Sequence, residues 1–120
     1  IIRSIYDTLM DSYDAEEGIN TIYKLLIKKK SYPQLIKNFV NHLLIYSDVP
    51  ADIYNDIYSV LYPDAYYDAG SEEELKEEYK NRKIYGLLET NKVYAQAIID
   101  YISGMTDRYA VEIFNELIRY

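Results

Sequence analysis

The chain has 120 residues, 49% of them hydrophobic, with a formal net charge of −7 and no cysteine. That length and composition fit one domain, residues 1–120, with a real core, and they argue against a disordered chain. The missing cysteines exclude disulfides, thiolate metal sites and cysteine nucleophiles. The acidic balance argues against a nucleic-acid backbone binder, which needs a basic face. No apolar run reaches the roughly 20 residues of a membrane span, no secretory leader is visible, and a cytoplasmic protein is expected. Tyrosine is over-represented, sixteen against two Phe and no Trp. That is too many for one site, and it is compatible with edge-of-core packing and a surface for another domain or subunit. The chain opens on Ile1 rather than methionine, as a piece of something longer would.

In chain order, Ile2, Ile5, Tyr6, Leu9, Met10 and Tyr13 make a first amphipathic helix that fades toward Gly18, a C-cap or a loop residue. Asn20 or Thr21 starts the next helix, with Ile22, Leu25 and Leu26 at helical spacing. Lys24, Lys28, Lys29 and Lys30 cluster at its end, where they favour the negative end of the helix dipole or form a solvated face. Pro33 forces a stop before it and suits the first turn of a third helix, with Ser31 as a cap. Leu35, Ile36, Phe39, Val40, Leu43 and Leu44 then form the most apolar helix. His42, the single histidine, lies in this run and reads as a buried or half-buried structural residue, since one imidazole without partners makes no metal site.

Ser47-Asp48-Val49-Pro50 is a boundary, and Ile53, Ile57, Val60 and Leu61 carry a helix that ends before Pro63. Tyr54, Tyr58 and Tyr62 share a neighbouring strip of it. They read as a ring ladder packed on a neighbour, with an aromatic platform for a nucleobase as the rival. Residues 63–71 read as a loop. Ser71 and Glu74 then open an acidic helix whose carboxylates suit the dipole and need no metal. Ile84, Leu87, Leu88 and Val93 continue, with room for a break at Gly86 and at Glu89-Thr90-Asn91.

Two final helical patterns meet at a polar joint. Before it Tyr94, Ile98, Tyr101, Ile102 and Met105 recur three or four residues apart, and after it Tyr109, Ile113, Leu117 and Tyr120 do the same. Gly104 with positive φ closes the first helix, and Thr106 caps the second with Asp107 in its first turn. The rival is one long helix through Gly104, since a mid-helix glycine costs only about 1 kcal/mol. No segment alternates as a strand does, so the fold expected is all-α, a compact bundle of about five to seven helices with a break or kink near Gly104–Thr106.

The joint also carries a resemblance. Asp100-Tyr101-Ile102-Ser103-Gly104-Met105-Thr106-Asp107-Arg108-Tyr109-Ala110 resembles the signature near the C-terminus of bacterial deoxyguanosinetriphosphate triphosphohydrolases of the HD superfamily, with Ser103 in place of their alanine. The likeness covers about residues 84–118, and more weakly the opening Ile2–Leu9. It implies a C-terminal helical accessory domain that packs on an HD catalytic core, shapes one wall of the dNTP pocket and helps assemble a homo-oligomer. The enzymes of this family cleave dGTP to deoxyguanosine and triphosphate at a divalent metal held by histidines and aspartates. This chain lacks that ligand set, so the metal is implied in an HD domain elsewhere and the chain alone is expected to be inactive. At the joint, Arg108 is the natural partner for phosphate, Tyr109 for a base or sugar, and Asp107 orients Arg108. The structural alternative has Asp107 capping or pairing locally and Tyr109 packing at the helix start, with Gly104 and Thr106 serving the helix junction. The competing function is a stand-alone helical interaction module with a tyrosine-rich binding surface.

Overall fold

The computed structural model describes residues 2–63, 84–105 and 107–118, without the side chains of Ile2, Asp107, Arg108 and Ala110. Among them lie six α-helices and no strand: α1 (Ile2–Met10), α2 (Thr21–Ile27), α3 (Pro33–Tyr46), α4 (Ala51–Leu61), α5 (Asn91–Ser103) and α6 (Asp107–Ile118). The expected loop at 63–71 and the acidic helix opened by Ser71 and Glu74 lie almost wholly outside the described residues, as do Thr106 and Tyr120. No helix among the described residues is long and apolar enough to cross a membrane.

α3 is the central element because its apolar face is continuous. Leu35, Ile36, Phe39, Val40 and Leu43 are fully buried, as the three-and-four spacing requires. α2 packs on α3, and α5 and α6 both pack on α1 and α3. Ile5 and Leu9 of α1, Ile57 of α4 and Tyr94, Ala97 and Ile98 of α5 complete the core. Val60 departs from the expectation for α4. It is half exposed, because Ile57 and Leu61 already fill the inward stripe of that helix.

α3 begins at Pro33, but no side chain of the preceding segment caps it. The cap comes from the far end of the chain. The Glu116 carboxylate on α6 accepts from the backbone N–H of Gln34 at 2.9 Å and of Leu35 at 3.0 Å. Two orphan donors are thereby satisfied by a negative group at the positive end of the helix. The lysine cluster works likewise at the opposite kind of terminus. Lys28 donates to the Thr8 carbonyl near the end of α1 and pairs with Asp11, while Lys29 donates to the Val60 carbonyl at the end of α4. The dipoles they meet belong to other helices.

Residues 84–90 form a tight, partly buried connection. Tyr85 N–H donates to the Tyr46 carbonyl and Asp48 N–H to the Gly86 carbonyl. Gly86 and Leu88 both take positive φ, 54° and 57°, so Leu88 carries real backbone strain. Its side chain is fully buried, whereas Ile84 and Leu87 are exposed rather than part of an apolar face. Gly18 is needed here for space. A Cβ on it would sit 1.7 Å from the Leu88 carbonyl oxygen.

The tyrosines turn inward. Tyr94 is fully buried and donates its hydroxyl to the Leu9 carbonyl at 2.6 Å, while Tyr13 stacks on it and donates to the Leu88 carbonyl. Tyr54, Tyr58 and Tyr62 do form a ladder, with centroids 6.1 and 4.8 Å apart. Tyr62 accepts from Asn41 of α3 and lies under Lys37, which favours packing over a nucleobase platform. Of the described tyrosines only Tyr23 is exposed.

Candidate functional site: the cleft at the α5–α6 joint

α5 starts where Thr90 accepts from the Val93 N–H and ends at Gly104, so the helix is broken and does not run through. Gly104 does not use positive φ, however. It sits at φ −85°, ψ −3°, in the right-handed region, and its N–H returns to the Asp100 and Tyr101 carbonyls. The helix ends at Ser103 and α6 begins at Asp107, and Gly104 needs no left-handed conformation to allow the break. Among the described residues, a Cβ at Gly104 would meet the Tyr101 and Asp100 carbonyl oxygens, at 3.6 and 3.7 Å.

At this joint lies a cleft of about 490 Å³ lined by His42, Tyr46, Asp100, Tyr101, Gly104, Met105 and Tyr109. Helical spacing assembles it. His42 and Tyr46 are four apart on α3, and Asp100 and Gly104 are four apart along α5 and its end. Tyr85 arrives from the strained connection. Its hydroxyl donates to Asp100 Oδ2 at 2.7 Å, and Gln96 Nε2 donates to Asp100 Oδ1 at 2.8 Å. His42 Nε2 lies 2.9 Å from the same Tyr85 hydroxyl. The single Tyr85 proton goes to the acceptor-only carboxylate, which assigns His42 as the Nε2–H donor. Burial holds the His42 pKa below its ordinary 6.5, against the upward pull of Asp100. Burial, then the bond to Asp100, pushes Tyr85 far up, so its phenol stays protonated.

A second hydroxyl pair joins the two helices. Tyr101 and Tyr109 meet at 2.7 Å, and Asn38 of α3 donates to Tyr109. Burial raises the Tyr101 pKa, as does its contact with Tyr109. Of the candidate substrate residues, Tyr109 therefore lines the cleft. Asp107 and Arg108 occupy the first turn of α6 by backbone, their side chains lie outside the description, and Thr106 is outside the described residues. Sequence reasoning missed Asp100, Gln96 and Tyr85. The spacing of Gln96 and Asp100 at i,i+4 was a usable signal, but nothing local could bring Tyr85 to them. His42 is half-buried as expected, and it also faces the cleft.

The model of the phosphohydrolase-associated domain matches residues 53–116, more than half of the chain and the whole of the joint. The chain belongs to that family. A phosphohydrolase-associated domain is an accessory to a phosphohydrolase of the HD superfamily, and that catalytic domain is its partner. No curated protein and no solved structure matches the chain. Among the described residues of this phosphohydrolase-associated domain no three His, Asp or Glu side chains converge as a divalent cation requires. The described residues offer no ligand set for the metal that HD chemistry uses, and no catalytic step is assigned to them through one.

Proposed function

We propose that this phosphohydrolase-associated domain, spanning residues 1–120 as one unit, is the C-terminal accessory domain of a dGTPase-like dNTP triphosphohydrolase. One observation carries the reading. Five residues of the segment Asp100–Ala110 that resembles the dGTPase signature, Asp100, Tyr101, Gly104, Met105 and Tyr109, line the cleft, inside the region matched by the family. Arg108 follows the turn directly, where a guanidinium suits a triphosphate. Tyr109 lines the cleft beside it, and Asp107 precedes both. In this reading the domain supplies a wall of the nucleotide pocket and contributes to a homo-oligomer, while the divalent metal and the attacking water belong to the HD catalytic domain. The whole enzyme works in the cytoplasm.

The test is triphosphate release from dGTP, with Mg²⁺, Mn²⁺ or Co²⁺, by the full-length protein and by the 120-residue chain alone. Turnover is expected only from the former, and turnover by the chain alone sinks the reading. In the full-length enzyme Arg108→Ala is expected to lower kcat/KM while the unfolding midpoint stays in place. Equal losses of activity and stability would return Arg108 to a structural role.

A further inference from the structure

Among the described residues lining the cleft at the α5–α6 joint, Asp100 is the one carboxylate. It is half-buried and held in place. The Tyr85 hydroxyl donates to Oδ2 at 2.7 Å, and Gln96 Nε2 donates to Oδ1 at 2.8 Å. One donor comes from the strained connection and the other from the preceding turn of α5, so the group is gripped at both oxygens. Support of this kind keeps a recognition group in register. A carboxylate has about four lone-pair sites on its two oxygens, so each oxygen can accept a second donor.

An acceptor pair discriminates between nucleobases. Guanine presents two parallel donors on one edge, its N1–H and its 2-amino group, side by side as the two carboxylate oxygens are. Adenine sets a lone pair at N1 beside its amino group, and cytosine does so at N3. Thymine flanks its single N–H with two carbonyl oxygens. Each of these three turns at least one lone pair toward the carboxylate, a costly arrangement away from water. The same charge repels phosphate, so the base end of a nucleotide, and not its triphosphate, belongs beside Asp100. Tyr46, Tyr101 and Tyr109 give the cleft the ring surface that a planar base packs on.

We infer that Asp100 reads the base of the nucleotide, selecting guanine by accepting from its N1–H and 2-amino group, with Tyr85 and Gln96 holding the carboxylate. The inference rests on the dNTP triphosphohydrolase reading and deepens it. That reading gives the triphosphate to Arg108 and leaves the choice of base without a residue. Asp100 supplies one.

The full-length protein is assayed with a divalent cation for triphosphate release from dGTP, dITP and dATP, as wild type and as Asp100→Asn. dITP lacks only the 2-amino group, and dATP has an acceptor where guanine has the N1 donor. In the wild type, kcat/KM for dGTP should exceed that for dITP by roughly tenfold or more, the worth of one charge-assisted hydrogen bond, with dATP below both. An asparagine amide has one acceptor and one donor side. In Asp100→Asn the dGTP-to-dITP ratio should therefore collapse toward one, and dATP should gain on dGTP. A merely structural Asp100 would lower all three substrates together, and unchanged ratios overturn the inference. Equal kcat/KM for dGTP and dITP in the wild type overturns it without any variant. Should Asp100→Asn fail to fold, Gln96→Ala, at an exposed position, loosens the same carboxylate. It should still narrow the dGTP-to-dITP ratio, and an unchanged ratio there overturns the inference too. Turnover without guanine preference defeats this inference alone, whereas no turnover of any dNTP defeats the hydrolase reading with it.

Discussion

The face of α3 and the attachment of α6 are held by different physics. α3 buries Leu35, Ile36, Phe39, Val40 and Leu43 completely, whereas the described residues of α6 include one buried apolar side chain, Ile113. In place of a broad apolar face, α6 has polar anchors at both ends. The Tyr109 hydroxyl meets Tyr101 and Asn38, and the Glu116 carboxylate caps α3. Apolar area is non-directional and large, while each hydrogen bond is worth about 1 kcal/mol net and depends on geometry. α6 is therefore the helix that local changes can loosen without unfolding the rest, and it borders the cleft.

The hardest blow to that contrast is Phe39→Ala. The ring is fully buried and meets Tyr94 and Tyr101 edge-on, so denaturant unfolding should show a loss of about 3–5 kcal/mol. A loss below about 1 kcal/mol would mean α3 is not the centre of the core. Glu116→Ala is expected to cost less, about 0.5–2 kcal/mol, as lost helix caps do. Its signature is local: hydrogen exchange at the Gln34 and Leu35 amides should accelerate while the centre of α3 stays protected. Uniform acceleration would show that α6 and the core open together, and the contrast would fail.

Protonating His42 is a gentler probe. Its folded pKa lies below 6.5, so the unfolded chain binds that proton more tightly. The stability contributed by the neutral ring is complete above pH 6.5 and declines as pH falls from there toward the folded pKa. Because His42 is the sole histidine, its NMR titration is unambiguous, and a midpoint above 6.5 would contradict the burial described. The smallest effect belongs to Gly104→Ala. With φ at −85° and ordinary contacts for a Cβ, alanine should be neutral or stabilise by about 0.4–1 kcal/mol in thermal unfolding. A clear destabilisation would restore the left-handed conformation that the sequence alone suggests.

The same division explains what could be read from the sequence. The buried face of α3, the inward residues of α1 and α5, and the break near Gly104 follow from periodicity and from proline and glycine placement, which are local signals. Glu116 capping a helix 82 positions away was not legible, because a carboxylate on an amphipathic helix looks like any solvated residue. Tyr85 reaching Asp100 and His42 was hidden for a related reason. It depends on the positive φ of Gly86 and Leu88, which only the packed structure imposes. The cleft was half visible: the joint and Tyr109 stood out, and the charged group at its edge did not.

The near-contact of Gly18 with Leu88 has a consequence for biosynthesis. The Tyr13 hydroxyl bonds to a carbonyl 75 positions downstream, and the same Leu88 leaves no room for a side chain at position 18. A nascent chain that has emerged only through α4 holds the first four helices but lacks the Leu88 backbone that packs against the bend between α1 and α2. Until residues 84–90 have been made, that corner has its local ties, the bond from the Asp14 N–H to Thr21 Oγ1 and the Lys24–Asp14 pair, without the Tyr13–Leu88 bond.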